Sequence, residues 1–216
     1  MMQAAILYDN IHKARECINI MVKNMEDKRV IKTKRNIKAA LIRLLGQTRF
    51  ENISVAELCR VGQISRITFY TYYSDKYKLA DELFADYISE ARAEYARLQS
   101  ENNQNDLPII GYINLLDCIL DLYFHHPDFF THAMPEDSPY LYSMFYRHIF
   151  TAAVDYIERH PSIHAKYGAR PTAALLCNAI GGVIQEYSAA GLSGEPLRAQ
   201  IKRIYYDLLR SDLFEK

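Results

Sequence analysis

The chain has 216 residues, 26 basic against 26 acidic side chains, 50% hydrophobic and 24% charged, which is too apolar for a disordered protein and long enough to bury a core of its own. No run reaches the roughly 18 apolar residues of a membrane span, and charges come too early in MMQAAILYDNIHKARE for a secretory signal. The four cysteines (Cys17, Cys59, Cys118, Cys177) lie far apart with no CxxC pair, which argues against a zinc site or a disulfide framework and for a reducing cytoplasm.

In chain order, residues 1–31 form an N-terminal extension, where Ile11, Ala14, Ile18, Met21 and Val22 keep helical spacing and Met21 and Met25 stand as alternative starts. A first helix capped by Thr33 presents Ile37, Ala40, Leu41, Leu44 and Leu45 on one face and stops at Gly46. Ser54-Val-Ala-Glu57 is a capping box that opens a second helix carrying Val55, Leu58 and Cys59. Gly62 at its end suits a tight turn with positive φ. Ser65 caps a third helix through Tyr70, with Tyr72 and Tyr73 at its exit. Ser74-Asp75 caps a long helix from about Lys76 to Gln99, with Leu79, Leu83, Tyr87 and Ala91 spaced four apart. After a loop at 101–106, helices fit 108–124, 138–160, 171–190 and 196–212, with an irregular or short-helical connection through HHPDFFTHAMPEDSP. Prolines are confined to Pro108 and beyond, Gly46 and Gly62 are the only glycines before Gly111, and no hairpin-bounded alternation occurs. The fold class is therefore all-α: a three-helix bundle with a helix-turn-helix (32–78), then a larger helical domain (79–216).

The zero net charge conceals a split. From Lys28 to Lys78 twelve basic residues face only Glu51, Glu57 and Asp75, a net of +9, which leaves −9 for the rest. That is the layout of a nucleic-acid-facing part beside an acidic body, although a single-sign stretch also serves as a plain solvated face. Two capped helices joined at a glycine inside the basic segment strengthen the first reading, since the second helix of a helix-turn-helix enters the DNA major groove.

The run ENISVAELCRVGQISRITFYTYYSDKYKL, preceded by IKAALIRLLGQTRF, resembles the DNA-binding domain of the TetR family of bacterial transcriptional regulators. Ser65, Thr68, Phe69, Tyr70, Tyr72, Tyr73, Lys76 and Leu79 stand where the family pattern has such residues. Ile67 departs from it, in a place often held by a small or polar side chain. The resemblance spans Thr33 to Leu79, about a fifth of the chain. The ending NAIGGVIQEYSAAGLSGEP is similar to the ligand and dimerisation domain of one Gram-positive branch of the family.

The resemblance implies roles. Thr33 and Lys34 would meet a phosphate, and Ser54 and Val55 would present a helix N-terminus to the DNA backbone. Behind the Ser65 cap, Arg66, Ile67 and Thr68 would face base edges. Tyr70 and Tyr72 would reach phosphates, and Lys76 would add a charge. The residue chemistry agrees: Arg reads guanine bidentately, Thr and Ile touch a thymine methyl, and Tyr and Lys hold register through phosphates. Phe69 and Tyr73 read as core.

One recognition helix reads few base pairs, so an inverted-repeat operator and a homodimer are expected. AALLCNAIGGVI, with Ala174, Gly181 and Gly182, and the stripe of Ile201, Ile204, Tyr205, Leu208 and Leu209 are the candidate interface; completing a monomer core is the alternative. The aromatic-rich middle suggests a small apolar or aromatic ligand beside Phe84, Tyr87, Tyr112, Leu116 and Phe145, against the alternative of an ordinary aromatic core. His125, His126, His132 and His148 lack the i, i+4 pairing of a metal site. No nucleophile–base set, phosphate-cradling glycine loop or catalytic carboxylate pair occurs, so an enzyme is not expected, nor a cofactor. The expected function is a DNA-binding regulator, a repressor released by a ligand, with a ligand-free architectural or partner-binding protein as the rival.

Overall fold

The computed structural model describes residues 28–134, 137–160, 164–211 and 213–215; the amphipathic stretch expected around Ile11–Val22 lies outside them. Helix α1 covers 28–45. It starts before Thr33, so Thr33 is not its cap: the Thr33 hydroxyl donates to the Arg29 carbonyl one turn back. The helix also runs through the expected 31/32 boundary. Ile37, Ala40, Leu41, Leu44 and Leu45 are buried, as their spacing on one face predicts.

A single 3-10 turn at Phe50–Asn52 leads to α2 (Val55–Gly62) and α3 (Arg66–Tyr72). The capping box forms in full: Ser54 Oγ accepts from the Glu57 N–H, and the Glu57 carboxylate accepts from the Ser54 N–H. Those bonds to Ser54 hold the Glu57 carboxyl below its usual range. Ser65 Oγ likewise accepts from Thr68 N–H at 3.0 Å. The residue with positive φ at the turn is Gln63 (φ 54), not Gly62. Gly62 packs against α1, where a Cβ would lie at ordinary contact distance, 3.5 Å from the Ala40 Cβ and 3.7 Å from the Asn36 carbonyl.

Helix α4 (Lys76–Asn102) is capped by Asp75, which accepts from the Lys78 N–H, and its 27 residues extend about 40 Å. Then follow α5 (Pro108–His125), the single turn α6 (Pro127–Phe130), α7 (Pro139–Arg159), α8 (Ala169–Ala189) and α9 (Gly194–Leu209). A two-residue antiparallel pairing joins β1 (His164–Ala165) to β2 (Phe214–Glu215). The fold among the described residues is thus all-α apart from this clip.

Two buried cores hold the elements together. One joins α1–α3 and the N-terminal half of α4 to Leu122, Phe129, Phe130, Leu141 and Met144, so it runs across residue 78. The other packs α5, α7, α8 and α9 around Leu120, Ile157, Ala173, Leu176, Ile201 and Tyr205. The α4–α5 turn is locked by amides. Asn114, 1% exposed, exchanges hydrogen bonds with Asn102 and donates to Gln99. Asn103 Oδ1 accepts from the Leu107 N–H. The free thiols of Cys59, Cys118 and Cys177 are all buried. Burial pushes Cys118 and Cys177 up to about 12. No helix among the described residues is long and apolar enough to cross a membrane.

Candidate nucleic-acid interface

Helix α3 has one buried anchor and one open face. Phe69 is fully buried and Tyr73 nearly so, as expected from the sequence. On the outer side Ile67 is 82% and Tyr70 57% exposed, with Arg66 and Thr71 beside them. An isoleucine standing this far out contributes nothing to the subunit's core. Arg66 forms no hydrogen bond or ion pair among the described residues. Thr68 is half-buried and its hydroxyl pairs with Ser65 Oγ at 2.9 Å, so the helix start is rigid but that hydroxyl is engaged. Tyr72 leans on the first core. Sequence reasoning missed Thr71 on the open face; the period of 3.6 from Ile67 could have found it.

The other expected contacts are arranged differently. Lys34 does not stand free: its ammonium pairs with Glu82 of α4 at 2.9 Å and lies over the Tyr73 ring. Lys38 joins the same cluster through Glu82 and Asp86. Burial would raise Glu82, but the two lysines outweigh it and hold the carboxyl below its usual range. The exposed cations of α1 are Lys28, Arg29, Lys32, Arg35 and Arg43, which form no ion pair among the described residues. Ser54 is exposed with its hydroxyl in the capping box, and Val55 is half-buried against the core.

Lys76 requires a correction. Its ammonium donates to the carbonyls of Phe50, Glu51 and Ile53 at 2.8, 2.7 and 2.9 Å. All three donors are used, so none is left for a phosphate. Burial lowers its pKa, with Glu51 and Glu57 opposing. Lys76 therefore clamps the turn that precedes α2. Lys76→Met is expected to cost about 1.5–3 kcal/mol of stability, the range for hydrogen bonds to a charged group, read as a lower midpoint in urea denaturation. A midpoint unchanged from the parent chain would show that water replaces the clamp without loss.

The clamped turn is also tied to the body. The Phe50 N–H donates to Ser138 Oγ at 3.2 Å, the Phe50 ring stacks on Tyr140 with centroids 5.4 Å apart, and the Tyr140 hydroxyl donates to Asp81 at 3.0 Å. Thus α7 begins directly on the helix-turn-helix unit, while α4 is bound to α1 through Glu82.

In the body, the five expected ligand residues do not converge. Phe84 and Tyr87 belong to the first core and Tyr112 and Leu116 to the second, with Phe145 packed against both. Phe84, Tyr87, Tyr112 and Leu116 are buried. They are core because aromatic rings pack against one another there: Phe84 meets Phe129, Phe130 and Phe145. A cleft of about 690 Å³ lies between α4, α5 and α7 with none of the five in its lining, and Tyr112 and Leu116 line a cavity of only about 20 Å³. Leu115, Cys118, Ile119 and Ile149 form the apolar surface of the larger cleft; Arg92, Tyr95, Gln99, His148, Asp155 and Arg159 bring polar groups to it. Among the described residues no group of His, Cys, Asp or Glu is arranged to hold a metal.

The interface stripe also divides. Ile201 and Tyr205 are 0% and 2% exposed, face the subunit's own core, and Tyr205 donates its hydroxyl to the Leu176 carbonyl. Leu208 packs on that core as well. The amphipathic pattern marks a buried face, and α5 and α8 of the same chain cover it. Left outside are Gly182, Leu175 (48% exposed) and Tyr206 (45%), with Ala174 and Gly181 half-buried.

No protein-family profile matches the sequence, and no curated protein sequence does. Solved structures do. A transcriptional regulator from Rhodococcus sp. Rha1 is 18% identical with TM-score 0.55, covering 82% of this chain and 95% of that one. The dihydroxyacetone kinase operon activator DhaS is 18% identical with TM-score 0.50, covering 85% and 98%. The chain has the all-helical fold of these transcriptional regulators.

Proposed function

We propose that the chain is a homodimeric DNA-binding transcriptional regulator of the TetR type, a repressor whose grip on an inverted-repeat operator is released by a small molecule. The observation that carries this reading is the open face of α3, where Arg66, Ile67, Tyr70 and Thr71 project from a helix anchored by Phe69 and capped by Ser65. Arg66 and Ile67 address base edges, Tyr70 a phosphate, and the unpaired cations of α1 supply the salt-dependent share of affinity. The cleft between α4, α5 and α7 is the ligand site. Both of its long walls reach the reading head, α4 through Glu82 and α7 through Tyr140, so widening the cleft shifts the spacing of two recognition helices that must meet half-sites about 34–36 Å apart.

Dimerisation through α8 is supported by Gly181 and Gly182. Two adjacent glycines weaken a helix interior by roughly 0.5–1 kcal/mol each, and a Cβ at either would meet nothing within 4 Å among the described residues. No packing among those residues needs them; close approach of a second copy does.

The test is selection of bound fragments from random genomic DNA, followed by retardation assays. A single inverted repeat is expected, and Arg66→Ala should weaken binding to it by about 1–3 kcal/mol while relaxing preference at one position per half-site. Retention of fragments with no common sequence would overturn the reading.

A further inference from the structure

We propose that the cleft between α4, α5 and α7 takes an amphipathic carboxylate: an extended apolar chain with its acid group held beside Arg92, Arg147 and His148. The inference deepens the ligand-release reading, and its binding step stands apart from any effect on DNA.

The shape comes first. The α4 wall runs from Ile88 to Gln99, roughly 16 Å at 1.5 Å per residue, and Leu115, Ile119, Leu122 and Ile149 line the cleft between its ends. A volume near 690 Å³ lies within the range of small-molecule sites. The elongated apolar floor fits a chain.

The charges choose the end and the sign. Arg92 and His148 line both the cleft and a depression that continues from it, to which Arg147 contributes. Neither arginine forms an ion pair among the described residues. The carboxylate lining that depression, Asp81, is already engaged by the Tyr140 hydroxyl and by Lys78. Burial, with a smaller contribution from the two arginines, depresses the His148 pKa. At the opposite end the carboxylates of Asp155 and Asp106 both line the cleft, with His160 Nε2 3.4 Å from Asp106 and Arg159 donating its Nε to the Asp155 backbone carbonyl. One end therefore carries two arginines without an ion pair beside a carboxylate engaged elsewhere, and the other brings two carboxylates to its cations. The acidic body as a whole suggests a neutral or cationic ligand; the local arrangement reverses that sign.

The experiment is calorimetric titration of the full chain, without DNA, by decanoate, decanol and decyltrimethylammonium, which share one tail. Decanoate is expected to bind about ten- to a hundredfold more tightly than decanol, the worth of one or two charge-assisted hydrogen bonds, and the cation weakest of all. Replacing both arginines (Arg92→Gln with Arg147→Gln) should remove that preference and leave decanol unchanged; because both side chains are exposed, the melting temperature should hold. Equal affinities, tighter binding of the cation, or no binding by any of the three would overturn the proposal. Retardation assays on the same samples separate the two readings. Decanoate that binds without loosening DNA leaves this inference standing and removes ligand release. A different compound that frees DNA while decanoate fails to bind does the reverse.

Discussion

Phe50→Ala is expected to cost about 3–5 kcal/mol, the range for deleting a fully buried phenylalanine. The Phe50 ring is 0% exposed. It stacks on Tyr140, meets the edge of Tyr77 at 5.5 Å and lies beneath the Lys76 ammonium at 4.9 Å. These neighbours come from the starts of two helices pinned by other contacts, so the hole has little freedom to collapse. Urea denaturation measures the loss directly. Because Phe50 joins the reading head to α7, the variant should also separate one cooperative transition into two. Tyr140→Phe is the milder companion, removing only the bond to the Asp81 carboxylate at about 1.5–3 kcal/mol, the range for a hydrogen bond to a charged group. A Phe50→Ala loss below about 1 kcal/mol would show that the junction is soft and that α7 does not hold the turn.

The largest functional effect is expected at α8. Gly182→Trp, alone or with Leu175→Glu, should leave the subunit folded, because space around Gly182 is open and Leu175 is exposed. It should nevertheless yield monomers in ultracentrifugation, since a bulky side chain forces two helices apart. A monomer holds one half-site at a time and loses the effective concentration that links the second, so operator affinity should fall by about 10²–10⁴. Circular dichroism matching the parent chain guards against misfolding as the cause. An unaltered sedimentation coefficient with unaltered DNA binding would remove α8 from the interface.

Local rules were legible in the sequence and distant ones were not. Ser54–Glu57, Ser65–Thr68 and Asp75–Lys78 are contacts three residues apart, so the caps of α2, α3 and α4 follow from side-chain chemistry alone. Lys76 reaches carbonyls 23 to 26 positions back, and nothing nearby in the chain marks it as a clamp rather than a phosphate contact. The stripe of Ile201 and Tyr205 announces burial but not by which neighbour. Aromatic residues at 84, 87 and 145 looked like a pocket because rings line pockets and cores alike. The walls of the cleft, with Arg92, Gln99 and Asp155, carry the composition of an ordinary solvated face. Gly62 suits a positive φ by residue type, but it closes α2 against α1 and the left-handed turn falls one residue later, to Gln63.

The buried thiols turn the molecule into its own strain gauge. Cys118 and Cys177 are buried and burial pushes their pKa up to about 12, which disfavours the reactive thiolate, so a thiol reagent reaches them only through transient opening. Each reports a different place: Cys59 sits in the first core, Cys118 on the floor of the cleft, and Cys177 in the second core. The rate at which each is labelled therefore measures how often that region breathes, without a single engineered probe.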